Sequence, residues 1–166
     1  AGYNAIKYLH QNKGHTNIGF LGKYLDYKTS HCKTRLEGAA AYFKEHPEIN
    51  LVSADINHFS DSASAIDDLF VREVKITAIF AAMDILAIGI LSYAANKNIS
   101  IPEQLAVIGF DNSPLCSYTV PALSSFQEDS DNISFALIKL AREKLQNNRE
   151  IKHELYCPQF IERNSV

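Results

Sequence analysis

Few of the residues and patterns that usually announce a function occur in this chain. Cysteine is scarce: only Cys32, Cys116 and Cys157 occur in 166 residues. They are odd in number, scattered and without C-x-x-C spacing, which argues against a disulfide framework or a thiolate metal site and suits reduced thiols in the cytoplasm. There is no excess of basic charge. Lys and Arg number 16 against 19 Asp and Glu, giving a net charge of −3 and a pI near 6.1. The electrostatic footprint of a direct nucleic-acid binder is therefore absent. The apolar stretches break off well short of the ~18 residues a membrane span requires, and no signal-peptide apolar region opens the chain. Catalytic motifs are lacking too: there is no G-x-S-x-G, no Walker loop and no G-x-G-x-x-G, and Gly19 and Gly22 are wrongly spaced for a phosphate cradle. The six histidines show no metal-ligand spacing. No catalytic residue, metal or cofactor is expected, and an enzyme has no positive support. Internal repeats, low-complexity tracts and linkers are also missing.

What remains is an ordinary globular composition, 46% hydrophobic and 21% charged. Its length fits one domain, burying ~68–70% of the unfolded surface on folding. Ala1 is not a methionine and the chain opens directly on a helical pattern, so a fragment cut upstream is expected.

The best-defined stretch is Thr77 to Asp111. Thr77 to Ala81 is a short apolar run suited to a buried strand. Met83-Asp84 opens a segment, Ile85 to Ala95, of helical length and high alanine content. It is apolar on nearly every side up to Leu91, which predicts burial between layers. Asn96-Lys97-Asn98 closes the helix and Pro102 bars its continuation. A second strand, Leu105 to Gly109, completes a βαβ unit and runs into Asp111-Asn112.

The rest follows the same alternation. Tyr3, Ile6 and Leu9 keep helical spacing up to Gly14. Asn17 to Gly22 is a buried strand, followed by a polar turn in which Thr29 or Ser30 is positioned to cap a helix over about residues 31–45. That helix places Leu36, Ala39, Ala40 and Phe43 on one face. Leu51 to Ile56 is the next strand. Ser62 to Arg72 is an amphipathic helix through Ala65, Ile66, Leu69 and Phe70. After the central unit come an irregular segment to Ala122 and a short strand at Leu123 to Phe126. Asp129 or Ser130 can cap a long helix to about Gln146 with Ile133, Leu137, Leu140, Ala141 and Leu145 as its inner stripe. A last strand lies near Glu154 to Glu162.

Alternating strands and helices predict an α/β fold, a parallel sheet with helices on both faces. Ligands of such sheets bind beyond the carboxyl ends of the strands, which selects Lys23 to Arg35, Asp55 to Phe59, Met83-Asp84 and Phe110 to Asn112. Arg35 lies near a helix start, where the dipole gives a cation no benefit, so another partner should hold it. Its planar five-donor guanidinium suits the hydroxyls of a small polyol, or a surface salt bridge with Glu37 or Asp26. Asp111 is placed to accept sugar hydroxyls or to cap its own loop. Asp84 makes a favourable dipole contact or joins the ligand edge. His58 and Phe59 offer an aromatic wall or ordinary loop packing.

Ala78-Ile79-Phe80-Ala81-Ala82-Met83-Asp84, Ala87-Ile88-Gly89, Ile101-Pro102-Glu103 and Val107-Ile108-Gly109-Phe110-Asp111 together resemble the effector-binding core of lactose/galactose-repressor-type transcription regulators. Gly14-His15, Arg35-Leu36-Glu37-Gly38, Pro121-Ala122-Leu123-Ser124-Ser125 and Ile161-Glu162-Arg163-Asn164-Ser165-Val166 extend the resemblance in order along essentially the whole chain. It implies a two-lobed core of periplasmic-binding-protein-like type I, of which this chain is mostly the C-terminal lobe. Residues 17–122 and 154–166 would form that lobe, and residues 1–12 and 129–146 would be remnants of the N-terminal lobe. The helix-turn-helix DNA-binding headpiece is absent from the sequence. The resemblance further implies a cytoplasmic homodimer that binds a small effector between lobes and contacts operator DNA only through that headpiece, with no membrane. By resemblance, Arg35, His58, Phe59, Met83, Asp84, Asp111 and Glu128 are the ligand-binding candidates, Glu128 being the contribution from the side of the other lobe. Family members usually carry Asn-Asp where this chain has Met83-Asp84, and a thioether in place of an amide suits a less polar ligand or a changed pocket. The alternative is a secreted sugar-binding protein of a transport system, built on the related fold.

Overall fold

Runs of three to six residues become strands of one six-stranded sheet, in the order β2-β1-β3-β4-β5-β6. The computed structural model describes residues 1–22, 31–56, 62–71, 75–147 and 156–166. The strands are β1 (Asn17–Gly22), β2 (Asn50–Asp55), β3 (Ala78–Ala81), β4 (Ala106–Phe110), β5 (Ser124–Gln127) and β6 (Gln159–Ile161). Pairing is parallel from β2 through β5, in registers such as Phe20 with Phe80 and Ile79 with Val107, and antiparallel between β5 and β6. Strands β1, β3 and β4 are buried along almost their whole length, as expected where both faces of a parallel sheet are covered.

Two cores result, one on each face. Helices α3 (Ser62–Val71) and α4 (Asp84–Asn96) cover one face through Ile66, Leu69, Leu86 and Ile90, against Leu21, Ile79 and Val107. On the other face, α1 (Gly2–Lys7), its π-helical extension Tyr8–Asn12 and α2 (His31–Glu45) pack Ile6, Leu9, Ala39 and Tyr42 against Ile18, Phe20, Phe80 and Ile108. Gly14, at φ +77°, takes the left-handed position that ends the first helical segment. Asn98, at φ 56°, does the same just beyond α4.

Three expectations, on α2, α4 and the last helix, meet a different arrangement, and residues 1–12 pack on this sheet: Ala5, Ile6 and Leu9 are fully buried in its core. The approach of α1 to α2 is close because Gly2 lies against the α2 backbone, where a Cβ would run into the Arg35 carbonyl and come within 2.9 Å of the Ala39 nitrogen. Helix α2 is rotated by about one residue from the expected face. It buries Cys32, Arg35, Ala39 and Tyr42, while Phe43 is 37% exposed. Helix α4 is not enclosed between layers but buried on one side, leaving Ile85 51% exposed at the sheet edge.

Helix α5 (Ser130–Asn147) begins as expected, its cap Asp129 accepting from the Asn132 backbone N–H at 3.2 Å. Its stripe, however, is not an inner one. Leu137, Ile138 and Leu145 are exposed beside Phe135, and only Ile133 and Leu140 of the expected face are half-buried. The capping positions Thr29 and Ser30, and Glu154 and Leu155 at the start of the expected last strand, lie outside the described residues.

Candidate ligand-binding site at the carboxyl edge

Strands β1, β3, β4 and β5 all end on one edge, and β2 and β3 lie on opposite sides of β1, so the strand order reverses there. This is the switch-point geometry at which open α/β sheets bind ligands. Arg35 sits there on the second turn of α2. Its residue is 8% exposed, and its Nη1 donates to the carbonyl of Ala82, just past β3, at 2.5 Å. The guanidinium carbon lies 3.5 Å from the centroid of the Phe110 ring at the end of β4, a cation–π stack in a largely desolvated place. Nη2 is 3.7 Å from an oxygen of Asp111 and 3.7 Å from one of Glu128. Burial lowers the Arg35 pKa from its usual value, against the opposing pull of Asp111, Cys32, Glu128 and Asp84. Among the described residues these groups, and not Glu37, hold the cation; Asp26 lies outside the described residues.

Asp111 and Asn112 have φ values of 112° and 46°, a region sparsely used by residues other than glycine but best tolerated by Asp and Asn. The strained turn is locked in place. The Asp111 N–H donates to the Phe126 carbonyl at 2.9 Å. The Asn112 N–H donates to Ser125 Oγ at 3.1 Å, and Asn112 Oδ1 accepts from Arg163 at 2.7 Å. Asp111 is thus fixed by its backbone while its side chain stays about half exposed. Its pKa is raised by partial burial, opposed by Arg35 and reinforced by the carboxylates of Asp84 and Glu128.

A cavity of about 270 Å³ opens over this constellation, walled by Arg35, Phe110 and Glu128 together with His31, Thr34, Ile133 of α5 and Tyr156. Three of the candidate residues, Arg35, Asp111 and Glu128, therefore come together. Asp84 is at the same edge but faces inward. It is 2% exposed; Oδ2 accepts from the Ser113 N–H at 2.6 Å and from Cys116 Sγ at 3.1 Å, and Oδ1 accepts from Ser125 Oγ at 2.6 Å. It ties the β4–β5 connection to the start of α4. Met83 takes an extended conformation before α4 and packs its half-buried side chain against both cores. His58 and Phe59 lie outside the described residues.

Ile133 and Tyr156 carried no sequence signal for a site, and Phe110 fell within the selected edge without a role of its own. Phe110 reads as the last apolar residue of a strand, and only the strand's end at the sheet edge turns its ring toward Arg35. Arg163, which donates to the Leu123 carbonyl at 2.7 Å as well as to Asn112, belongs to the terminal motif. Beside it Ser165 donates to the Val107 carbonyl at 2.6 Å. The motif pins the sheet rather than lining the cavity.

A family model described as periplasmic binding protein-like domain matches residues 6–166. The HTH-type transcriptional repressor PurR of Aliivibrio salmonicida is 28% identical over 173 residues, a match covering 99% of this chain and 50% of that protein. Among solved structures, a sugar-binding transcriptional regulator of the LacI family from Escherichia coli, complexed with phosphate, superposes with a TM-score of 0.81 at 27% identity, over 99% of this chain and 59% of that one. A LacI-family regulatory protein from Chloroflexus aggregans gives 0.84 at 26%, over 99% and 59%. The chain spans about half the length of the curated relatives it matches. These relatives are named as transcriptional regulators.

Proposed function

The chain belongs to the periplasmic binding protein-like domain family, and on that premise we propose that it supplies one wall of the effector site of a cytoplasmic transcription regulator. Residues 17–122 and 154–166 form the C-terminal lobe, which also holds the first helix. Residues 129–146 belong with the other lobe, whose packing would cover the apolar stripe of α5. The effector lies between lobes, changes their relative orientation and so changes affinity for operator DNA, which a headpiece elsewhere in the protein contacts. The coupling in such two-state devices is typically ~1–3 kcal/mol. The working regulator is a homodimer without enzymatic activity.

One observation carries the chemical reading. Arg35 Nη2 is 3.7 Å from both the Asp111 and the Glu128 oxygens, too far for direct hydrogen bonds. A ligand hydroxyl in that gap can accept from the guanidinium and donate to a carboxylate, each at about 2.8 Å. Two carboxylates beside one cation make a site richer in acceptors than donors, which favours a polyhydroxylated, sugar-like molecule. The Phe110 ring under the guanidinium keeps that cation fixed as the ligand arrives.

The test is calorimetric titration of the full-length protein with monosaccharides, disaccharides and nucleobases, followed by operator-affinity measurement with each ligand that binds. Arg35→Lys and Asp111→Asn should each weaken the effector about 10–100-fold, the equivalent of one or two charge-assisted hydrogen bonds. An effector whose affinity neither substitution moves would overturn the site. A signal peptide upstream of this chain would instead favour the transport-protein alternative.

A further inference from the structure

At the opposite end of α2, far from the ligand edge, His10, His46 and Glu48 bring three potential ligand atoms to within 4.8 Å of one another. We infer that these residues form a binding site for a divalent transition-metal ion of the zinc class. His46 Nδ1 is 2.9 Å from Glu48 Oε1, and His10 Nε2 is 3.8 Å from the same oxygen. A tetrahedral ion with bonds of about 2.0–2.1 Å holds its ligand atoms about 3.3 Å apart. The two spacings to Glu48 straddle that value and the third lies within 4.8 Å, so side-chain rotations can close the site. Two imidazoles and one carboxylate select zinc, cobalt or nickel over magnesium or calcium, which demand oxygen ligands.

The cluster is built rather than incidental. Tyr42 is fully buried and holds both imidazoles. Its hydroxyl pairs with His10 Nδ1 at 2.9 Å, and its ring stacks on His46 with centroids 4.2 Å apart at 23°. With Nδ1 of His10 hydrogen-bonded to a partner from behind, Nε2 is the nitrogen turned toward Glu48, the arrangement that orients ligating histidines in metal sites. His46 and Glu48 are set by a turn with Pro47 between them, closed by the Ile49 N–H on the His46 carbonyl at 3.2 Å. His10 comes from the π-helical extension of α1, a local geometry that often re-aims a side chain at a functional position. Three elements meet here: the α1 extension, the C-terminus of α2 and the turn into β2.

In the metal-free protein the His46–Glu48 contact is a hydrogen bond. Binding puts the ion where the shared proton lay, and the neutral His46 imidazole then carries its one ring proton on Nε2. The ion then staples α1 to α2, the helix that carries Arg35 at its other end.

The full-length protein, stripped with a chelator and titrated with cobalt(II) while its visible absorption is followed, tests this. One ion per chain should bind with the d–d spectrum of a nitrogen–oxygen site and no thiolate charge-transfer band, and zinc should displace it. Glu48→Gln, at an exposed position that cannot endanger the fold, and His46→Gln should abolish saturation or weaken it steeply. Tyr42→Phe should weaken it about tenfold without removing a ligand. Zinc should raise the thermal midpoint of the parent protein but not of Glu48→Gln. Absence of saturable binding at millimolar cobalt, a thiolate band, or binding unchanged in Glu48→Gln and His46→Gln would each overturn the assignment.

Discussion

Asp84 offers the sharpest test of how the ligand edge is held. Its two oxygens take three donors, the Ser113 N–H, the Cys116 thiol and the Ser125 hydroxyl, inside a region where the carboxylate is 2% exposed. In Asp84→Asn the single remaining oxygen can keep the obligate Ser113 donor. The new amide can donate to Ser125 Oγ if that hydroxyl turns to the Phe126 carbonyl, 3.3 Å away. The Cys116 thiol donates to the same oxygen as Ser113 and keeps it as a neutral acceptor. Two charge-assisted bonds fall to neutral strength, and relief of the buried charge offsets part of that, leaving a loss of about 1–2 kcal/mol. Asp84→Ala strands all the donors and opens a cavity, for about 3–5 kcal/mol. For a chain of this length these translate to about 3–8 °C and about 8–15 °C in thermal midpoint. Gly109→Ala should reproduce part of the effect, because its Cβ would collide with Asp84 Oδ1. With no tryptophan in the chain, far-UV circular dichroism during heating and urea titration is the assay. Asp84→Ala within about 0.5 kcal/mol of the parent, the level of a neutral surface change, would refute the pinning role. Equal losses in Asn and Ala variants would show that charge, not acceptor geometry, is what matters.

Gly2→Ala should cost about 1–3 kcal/mol in urea unfolding, because the added methyl meets α2 backbone rather than a movable side chain and this outweighs the helical gain of alanine. Parent-like stability would mean that α1 can slide. His15, half-buried with Nδ1 3.0 Å from Thr77 Oγ1, has its pKa pushed below 6.5 by burial and then by Lys13. The unfolded chain therefore binds this proton more readily, and the stability it contributes is full above pH 6.5 and lost as pH falls through the lowered folded value. His15→Gln should flatten that part of the urea-midpoint profile, and an unchanged profile would exclude His15 as its source. Cys116 is fully buried, and burial together with Asp84 pushes its thiol up to about 11, so at neutral pH an alkylating reagent read by peptide mapping should mark exposed Cys157 first. Early modification of Cys116 would contradict its placement.

The sequence by itself determined the alternation of strands and helices, hence the parallel sheet and the carboxyl edge at which sheets of this kind bind ligands. That information is local: strand-length apolar runs, helical spacing and stop residues such as Gly14 and Asn98 act within a few residues. It also singled out Arg35 and Asp111 as polar residues beyond strand ends, each with a structural alternative left open, while Glu128 entered only through the family resemblance. Tertiary structure decided which way those residues face. Arg35 is gripped by Ala82, Phe110 and two carboxylates from separate connections, while Asp84, equally polar and equally near a strand end, turns inward because the Ser113, Cys116 and Ser125 donors converge on it. The burial of α1, the one-residue rotation of α2 and the exposure of Leu137, Ile138 and Leu145 on α5 follow from which apolar faces meet across the fold, which periodicity within one segment does not encode. The same holds for His10, His46 and Glu48, meaningless as a spacing along the chain and adjacent only because α1 folds back over the end of α2.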